Sequence, residues 1–241
     1  MVSLRQGWDD EALNWAAFAR TPGHDWAHEN MNLPAFLDLL PPADRCTLDL
    51  ACGEGRLSRL LRSQGHRVLA LDASPTLARL TAGAGSPVVL GDAARLPLAD
   101  ETVDLVVAYM CLHDIDDMPQ AVAEISRVLT PAGRLCLAIP HPLNSAGAFT
   151  RHDPDAPFVI SGSYLDTAPA RWSTDRGGIA LTFHSEHRPL EAYMRALEAT
   201  GMLTQTLREL RMPDESLAHG PAAKRWQRVP MFLHLRAVKP A

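Results

Sequence analysis

The sequence predicts an α/β fold, in which a mainly parallel sheet carries helices on both of its faces. Between residues 47 and 140, short apolar runs alternate with segments that have the periodicity of helices. The run at 104–110 is almost wholly apolar, which is typical of a strand covered on both faces. With 241 residues, the chain is long enough for one domain, 1–241, with a substantial core.

The composition argues against several classes of function. The formal net charge is −5 and only two residues are lysines, so a nucleic acid is not the predicted partner. No apolar run approaches the roughly 20 residues that cross a bilayer, which predicts no membrane partner. The four cysteines are dispersed without C-x-x-C spacing, and Asp9 and Asp10 lie where a signal peptide would be basic and then apolar. We therefore expect reduced thiols and a cytoplasmic location.

The most informative stretch, residues 47–55, reads as a strand, a tight turn and the start of a helix. An apolar run is followed by small residues at Ala51, Gly53 and Gly55, and a helical pattern begins at Arg56. Such a turn presents backbone N–H groups and a helix N-terminus to a ligand. Glycine suits it because a Cβ would hold the ligand away and because the turn can require a positive φ. The pattern predicts a small-molecule site, although a purely structural turn can look the same.

Two familiar phosphate-binding patterns do not fit this turn. The dinucleotide fingerprint G-x-G-x-x-G would start at Gly53, but its third glycine position is Ser58. The pattern G-x-x-x-x-G-K-[ST] requires a lysine, and none follows. The turn does fit a different pattern, in which an acidic residue, Asp49, precedes small-x-Gly-x-Gly.

Acidic residues also follow the next two predicted strands. Strand 67–71 is followed by Asp72, close to the roughly 20-residue spacing from Asp49 at which dinucleotide folds contact a ribose. One carboxylate can accept hydrogen bonds from both ribose hydroxyls. The strand at 87–90 is followed by Asp92, whose carboxylate can accept from the amino group of an adenine. These positions suit the two halves of an adenosine.

Four segments stand in order at suitable spacings: residues 49–55, Asp72, residues 91–93 and residues 124–133. The last is similar to E-x-x-R-V-L-x-P-G-G. Together they resemble the class I S-adenosylmethionine-dependent methyltransferases, in particular the methyltransferase-domain family often called type 11. The resemblance implies a Rossmann-like seven-stranded sheet with the order 3-2-1-4-5-7-6, its last strand antiparallel, and helices on both faces.

The resemblance also implies that the cofactor is S-adenosylmethionine. Asp49 would face its ammonium group or the adjacent loop, and the glycine turn would leave room for the methionine moiety. This sequence departs from the family at Ala51 and Ala132, which stand where the family more often has glycine. The cofactor contacts predicted on this basis are Asp49, Ala51, Cys52, Gly53, Gly55, Arg56, Asp72, Ala73, Asp92, Ala93, Tyr109 and Met110.

Two further segments are predicted to cover the site. Residues 1–40 read as a helical lid that contains one amphipathic helix at 8–20. Residues 140–187 form an insertion outside the carboxyl ends of the strands, where open α/β sheets bind ligands. Within it, alternation at 170–174 and 179–184 predicts a hairpin with a glycine-containing loop. We expect this insertion to cover the methyl acceptor.

Three histidines are candidates for a catalytic base. Methyl transfer from a sulfonium is an in-line displacement, for which the enzyme mainly supplies alignment and a dry site. If the acceptor is a hydroxyl or a protonated amine, a base must also remove a proton, and histidine does this well near neutral pH. His141, at the end of the fifth strand, is the first candidate, followed by His187 and His113. Each can equally be a hydrogen-bonded loop anchor.

Aromatic residues and an arginine are candidates for binding the acceptor. Trp26, Tyr164 and Trp172 can hold planar or cationic groups, and Arg188 can bind a carboxylate. Arg188 and Tyr193 also lie in a segment that resembles the H-R-P-[LT]-x-x-Y pattern of a subset of the type 11 family. No metal site is predicted.

The predicted function is transfer of a methyl group from S-adenosylmethionine to an oxygen or nitrogen of a small molecule, for example a secondary metabolite. Three alternatives stay open. One is methylation of an activated carbon, and another is a relative that binds the cofactor without catalysis. The third is a dinucleotide-dependent oxidoreductase, which Ser58 opposes.

Overall fold

A computed structural model describes residues 2–214 and 221–241. The strands, in chain order, are β1 Thr47–Leu50, β2 Val68–Asp72, β3 Val88–Leu90, β4 Val103–Tyr109, β5 Leu129–Pro140, β6 Gly147–Phe149, β7 Phe158–Ile160, β8 Ala168–Arg176, β9 Ile179–His187, β10 Leu203–Leu210 and β11 Phe232–Val238. The α-helices are α1 Leu4–Asp10, α2 Ala12–Arg20, α3 Leu33–Leu37, α4 Arg56–Ser63, α5 Pro75–Gly83, α6 Met118–Val128, α7 Pro142–Ala146 and α8 Leu190–Ala199. A π-helical turn spans His28–Asn32, and 3₁₀ turns span Leu112–Asp114 and Pro221–Gln227.

Seven of the strands form one sheet with the order β3-β2-β1-β4-β5-β11-β10. The pairs among β1 to β5 are parallel, whereas β11 runs antiparallel to both β5 and β10. This confirms the predicted order 3-2-1-4-5-7-6, with the last strand of the chain antiparallel. Strand order reverses between β1 and β4, the kind of position at which such sheets open a crevice for ligands.

Apolar side chains cover both faces of the sheet. In β4, Val106 and Ala108 belong to the cluster that includes Ile125 of α6, while Leu105 and Val107 belong to the opposite cluster. The alternation follows from the two-residue period of a strand, and it explains why this segment is almost wholly apolar. Helices α6 and α8 lie against one face, and α3 and α4 against the other.

The start of β5 is irregular. The strand begins at Leu129, before Pro131 and Gly133 of the motif at 124–133. The pairing with β4 is irregular there, because Val103 pairs with Leu129 and Leu105 pairs with Arg134. Ala132 adopts a φ of 62°, the left-handed conformation that glycine reaches at less cost.

The predicted single helix at 8–20 is wrong. The chain instead forms α1 and α2, which meet at Glu11, whose φ and ψ of −91° and 0° are not helical. Ser3 caps the first helix by accepting from the N–H of Gln6. Both helices pack against β9 and α5, so tertiary contacts decide where the segment bends.

The predicted hairpin is confirmed and is longer than expected. Strands β8 and β9 pair antiparallel from Ala168 with His187 to Arg176 with Ile179. Gly177 and Gly178 form the two-residue turn with φ values of 60° and 81°, as a hairpin loop of this length requires. No described helix is both long and apolar enough to span a bilayer.

Candidate functional site

A cavity of about 320 Å³ lies at the carboxyl ends of β1 to β4. Its floor is formed by the loops that follow these strands, and its roof by the N-terminal segment and by Phe183 of β9. Of the twelve cofactor contacts predicted from the sequence, eleven line this cavity, and Gly55 is the exception. The sheet thus brings together residues that are separated in the chain but follow neighbouring strands. Their contacts with a cofactor stay predictions.

The loop after β1 has three residues in the left-handed region. The φ values of Ala51, Gly53 and Gly55 are 52°, 60° and 84°. A Cβ on Gly53 would lie 3.2 Å from Nε1 of Trp15 in the roof, so little space exists above the loop at this point. A Cβ on Gly55 would lie 2.8 Å from Oγ1 of Thr81, which places that glycine against α5 and away from the cavity.

Two buried carboxylates flank the loop. Asp72 accepts hydrogen bonds from the backbone N–H of Gly53 and of Ser74, each at 2.8 Å. Asp49 accepts a hydrogen bond from the hydroxyl of Ser58. Ser58 is the residue that stands where the dinucleotide fingerprint G-x-G-x-x-G would have its third glycine. Neither carboxylate forms an ion pair with a described residue. Negative charge is therefore held in the floor without a counter-ion from the described chain.

Burial raises the pKa values of these two groups. Desolvation raises the pKa of Asp49 to about 7 and that of Asp72 to about 6, although the hydrogen bonds they accept act in the opposite direction. The charge on Asp72 further raises the pKa of Asp49. A cation bound near both groups would lower both pKa values, so the floor is suited to a positively charged ligand.

Glu54 is a loop residue that the sequence analysis did not single out. Its side chain is 1% exposed and forms ion pairs with Arg59 of α4 and Arg20 of α2, both at 2.8 Å. Arg59 also donates to the backbone carbonyl of Glu54 at 2.8 Å. These contacts fix the loop between two helices. Arg59 is near enough in sequence to suggest such a pair, but nothing local indicates Arg20.

The roof is built from aromatic side chains. The ring centroids of Trp8 and Trp15 are 5.7 Å apart, and Phe183 lies 6.0 Å and 6.1 Å from them. Trp8 also donates from Nε1 to the carbonyl of His184 at 2.8 Å, which ties α1 to β9. Arg56 lies over the Trp15 ring at 5.1 Å, so the roof contacts the first residue of α4.

Helix α1 is tied directly to the floor. Its Arg5 donates to the carbonyl of Ala73 at 3.3 Å, and the Leu4 N–H donates to Asp116 at 2.9 Å. Asp9 accepts from the hydroxyl of Ser74, which also caps α5. These contacts close the cavity above the ends of β2 and β4.

The π-helical turn contributes polar groups that the sequence analysis did not assign to the site. His28 Nδ1 lies 2.9 Å from the Tyr109 hydroxyl, and Asn32 Oδ1 lies 2.7 Å from His234 Nε2. His28, Asn32 and Tyr109 line the cavity. Burial, aided by the charge of Arg56, lowers the pKa of His28 to about 4, so the imidazole is neutral at pH 7.

Of the three predicted catalytic histidines, His113 lines the cavity. Burial lowers its pKa to about 3, and its Nδ1 has no hydrogen-bond partner among the described residues. Its Nε2 lies 3.3 Å from Asp114, which accepts from the hydroxyl of Ser185 at 2.7 Å. Burial raises the pKa of Asp114 well above its usual range.

His141 and His187 lie outside the lining of the cavity. His141 Nδ1 accepts from the Leu143 N–H at 3.0 Å, and its Nε2 contacts the Glu209 carboxylate at 2.8 Å. His187 bonds Ser145 at 2.7 Å and the carbonyl of Tyr164 at 2.9 Å. Because both nitrogens of each ring have protein partners, this geometry favours the anchor role over the base role.

The five predicted acceptor residues also lie outside the lining. Arg188 is 5% exposed and donates to the carbonyls of Leu112, Ile115 and Asp116, so it holds the loop after β4. Tyr193 is buried in the cluster of α6 and α8. Neither presents a free group to the cavity in this structure.

The three other predicted acceptor residues are aromatic. Trp172 is 54% exposed and stacks on the outer side of Phe183, with centroids 4.7 Å apart. The Tyr164 hydroxyl accepts from the Leu190 N–H at 3.2 Å. Trp26 packs with the cluster of Met31 and Phe232. Their roles in acceptor binding stay predictions, and Trp172 contacts Phe183, which lines the cavity.

Comparison with known proteins identifies the class. Residues 48–137 match a family profile described as a methyltransferase domain. An uncharacterized methyltransferase of Mycobacterium tuberculosis is 40% identical over 101 residues, which is 41% of each chain. A malonyl-[acyl-carrier protein] O-methyltransferase of Methylovorus is 36% identical over 132 residues, covering 48% of this chain and 45% of the relative. A demethylmenaquinone methyltransferase of Thermobifida fusca is 41% identical over 97 residues, covering 37% and 41%.

Solved structures extend the fold comparison over most of the chain. An S-adenosylmethionine-dependent methyltransferase from Mesorhizobium loti superposes with a TM-score of 0.72 and 23% identity, covering 85% of this chain and 96% of that one. The [4+2]-cyclase SpnF has a TM-score of 0.64 at 19% identity, covering 99% of this chain and 97% of that one. At these identities the likeness shows the fold alone.

The fold and the matched segment define a class I S-adenosylmethionine-dependent methyltransferase domain. Residues 48–137 match the methyltransferase-domain family of type 11, and this match supports S-adenosylmethionine as the cofactor. The matched segments span less than half the length of the curated relatives. No group of three or more His, Cys, Asp or Glu side chains in the described ranges is arranged to hold a metal ion.

Proposed function

We propose that this protein transfers a methyl group from S-adenosylmethionine to a small molecule bound beneath the roof of the cavity. The observation that carries the proposal is the pair of buried carboxylates, Asp49 and Asp72, beside a glycine loop at the ends of β1 and β2. We further propose that it works in the cytoplasm, supported by four cysteines that form no disulfide.

The floor fits this cofactor better than it fits a dinucleotide. S-adenosylmethionine carries a sulfonium and an ammonium group, which the charges of Asp49 and Asp72 would stabilise. A dinucleotide would instead bring two anionic phosphates beside the same carboxylates. Asp72 already accepts two backbone N–H groups, and each oxygen retains a lone pair for a ribose hydroxyl. Asp92 at the end of β3 also lines the cavity, on the adenine side.

S-adenosylmethionine, when bound, supplies a methyl group on a sulfonium, which a nucleophile can displace without acid assistance. The protein's own part is to align the two reactants and to exclude water. Gly53 allows the backbone to approach the ligand, and the roof of Trp8, Trp15 and Phe183 shields the cavity from solvent. His28 and His113 have pKa values lowered to about 4 and about 3 by burial, so both imidazoles are neutral at pH 7 and can exchange hydrogen bonds with an acceptor hydroxyl.

The acceptor is proposed to be attacked at oxygen or nitrogen. One relative is named as an O-methyltransferase, and the neutral polar groups near the end of β4 suit an oxygen-bearing ligand. Two alternative functions are methylation of a carbon atom and cofactor binding without methyl transfer. Cofactor binding without methyl transfer is worth testing because one structural neighbour is a [4+2]-cyclase, which shows that this fold supports other chemistry.

Thermal-shift titration tests the cofactor half of the proposal. We expect S-adenosylhomocysteine to raise the melting temperature in a saturable manner and NAD to leave it unchanged. Asp72→Ala should weaken S-adenosylhomocysteine binding by about 1–3 kcal/mol. The control Asp38→Ala, at a residue that precedes the motif residues in the sequence, should leave this binding unchanged. Saturation by NAD alone would contradict the proposal. Turnover with a tritiated methyl donor and candidate acceptors then separates methyl transfer from binding alone.

A further inference from the structure

Three polar side chains, those of His28, Asn32 and Tyr109, line the cavity apart from the carboxylate floor. Tyr109 ends β4, and the π-helical turn places His28 and Asn32 on one side, four residues apart. The hydroxyl of Tyr109 and Nδ1 of His28 are 2.9 Å apart. Met110 and Phe232 complete the lining there with apolar surface. A π-turn inside a helical segment is a common mark of a functional site.

The amide of Asn32 has an unused donor. Its Oδ1 is occupied by His234 Nε2 at 2.7 Å, and this contact orients the side chain. Its Nδ2 has no hydrogen-bond partner among the described residues, although Asn32 is only 1% exposed. Leaving a buried donor unpaired is costly, so the position favours a ligand that supplies an acceptor.

Strain is found at the same place. Met110 follows Tyr109 with a φ of 54°, which is uncommon for a residue other than glycine. Its N–H donates to the carbonyl of Ala138 at 2.8 Å, so the neighbouring strand β5 holds it in this conformation. Such strain concentrates at ligand sites. It turns the chain so that Met110 borders the cavity.

The three polar groups carry no net charge. The imidazole of His28 is buried beside the hydroxyl of Tyr109, and the charges that act on both groups are those of Arg56 and Asp25, which bind each other at 2.9 Å. A carboxylate or ammonium group placed here would lose its hydration without gaining a counter-ion. An uncharged oxygen, in contrast, can accept from the amide of Asn32 and exchange a hydrogen bond with His28.

We propose that His28, Asn32 and Tyr109 form the recognition site for the methyl acceptor, and that the acceptor is an uncharged, planar molecule bearing a hydroxyl oxygen. This inference rests on the proposed function. Asn32 donates to the acceptor oxygen, His28 contacts the same oxygen, and Tyr109 positions His28. The aromatic roof of Trp8 and Phe183 provides the flat apolar surface that a planar ring requires.

Phenol and toluene are matched probes for this site, because they differ in a hydroxyl that replaces a methyl group. We would saturate the protein with S-adenosylhomocysteine and measure the affinity of each probe by ligand-observed NMR. The wild-type protein should bind phenol about fivefold more tightly than toluene, as one or two hydrogen bonds imply. In Asn32→Leu and in Tyr109→Phe, each saturated with S-adenosylhomocysteine, the preference for phenol should fall until the two probes bind about equally.

Asn30→Leu is the matched control, because Asn30 lies in the same π-helical turn but is exposed. It should keep the preference for phenol. If Asn32→Leu unfolds because His234 loses its partner, Tyr109→Phe still decides the matter. Equal binding of phenol and toluene by the wild type, or a preference that survives in the folded variants, would overturn the inference. Failure of the wild type to bind S-adenosylhomocysteine would overturn the proposed function first, and this site with it.

Discussion

The floor and the roof of the cavity are built in different ways. The floor consists of short segments that follow consecutive strands, and backbone N–H groups and carboxylates within them bond one another, as Gly53 and Asp72 do. The roof is joined by contacts between distant parts of the chain, such as the bond from Trp8 to His184. Its surface is aromatic, with Trp8, Trp15 and Phe183.

The difference separates two kinds of recognition. The floor holds negative charge in a buried place, which selects a ligand by its charge and by its approach to the backbone. The roof and the end of β4 present uncharged groups, which select by shape and hydrogen bonding. We therefore expect changes in the floor to affect cofactor affinity, and changes in the roof to affect mainly stability and acceptor binding.

The largest expected effect is that of Gly53→Val. This glycine has a φ of 60°, and an added Cβ would lie 3.2 Å from Nε1 of Trp15, so a branched side chain would both strain the loop and fill the space of the ligand. We expect loss of S-adenosylhomocysteine binding by at least about 100-fold, measured by calorimetry.

Gly85→Val is the matched control for this variant. Gly85 has a φ of 78° but no atom within 4 Å of an added Cβ, so the substitution carries the backbone strain alone. It should cost about 1–2 kcal/mol of stability and leave cofactor affinity unchanged. Equal losses of affinity in both variants would mean that Gly53 acts through folding and not through ligand approach.

Phe183→Ala tests the roof. This half-buried ring contacts Trp8, Trp15 and Trp172, and its removal should lower the free energy of unfolding by about 2 kcal/mol in urea titrations. Cofactor affinity should change less than about threefold, which is under 1 kcal/mol. Trp172→Ala, on the exposed outer side of the same ring, should cost less stability. A roof variant that loses cofactor affinity as strongly as Gly53→Val would remove the distinction between the two regions.

The pH dependence of stability tests the charge of the floor. The pKa of Asp49 is about 7 in the folded protein, against 3.8 as the ordinary value, so the folded state binds more protons than the unfolded chain between about pH 4 and 7. The contribution of this group to stability is present below pH 4 and is lost as the pH rises through 7. Urea titrations should show a steeper fall over this range in wild type than in Asp49→Asn.

A ligand that places an ammonium group near Asp49 should reverse that trend. Because it favours the ionised carboxylates, S-adenosylhomocysteine, which carries an ammonium group, should raise the melting temperature more at pH 7.5 than at pH 5.5. The difference should shrink in Asp49→Asn. The same ligand-induced shift at both pH values in wild type would show that the carboxylates do not face the ammonium group.

The smallest expected effect is that of Ala132→Gly, far from the cavity. Ala132 has a φ of 62°, and the type 11 pattern has glycine at this position. The substitution should stabilise the protein by about 0.5–1 kcal/mol, because relief of the left-handed conformation exceeds the added entropy of the unfolded chain. A lower melting temperature for this variant in differential scanning calorimetry would contradict the view that the left-handed conformation of Ala132 costs stability.

Much of the floor could be predicted from the sequence because its residues lie at the ends of strands. Asp49 and Asp72 lie in strands whose apolar pattern is clear, Gly53 follows the first of them, and a parallel sheet brings the ends of neighbouring strands together. The strand order was predicted from the family resemblance, and the sheet confirms it.

The roof and the acceptor site could not be predicted in this way. The contact between His28 and Tyr109 joins residues 81 apart, and no local pattern indicates it. His141, His187 and Arg188 stand out in the sequence because of their chemistry, yet the structure gives each of them buried partners that hold loops in place. Residue type alone does not distinguish a group that serves the fold from one that serves a ligand.

The departure of Ala51 from the family's glycine has a similar explanation. Its φ of 52° shows that the left-handed conformation is kept although the side chain differs. The loop is held by the bonds of Gly53 to Asp72 and Thr81, and by the ion pairs of Glu54. Contacts of the folded protein can therefore maintain a backbone conformation that the local sequence disfavours.

Titration calorimetry of S-adenosylhomocysteine at pH 6.5, repeated in two buffers of different ionisation enthalpy, tests the central claim most directly. We predict saturable binding at one site with release of protons, because Asp49 is partly protonated before the ammonium group arrives. The release should disappear in Asp49→Asn. Binding without proton release, or saturation by NAD in place of S-adenosylhomocysteine, would contradict the claim that the buried carboxylates bind the ammonium group of this cofactor.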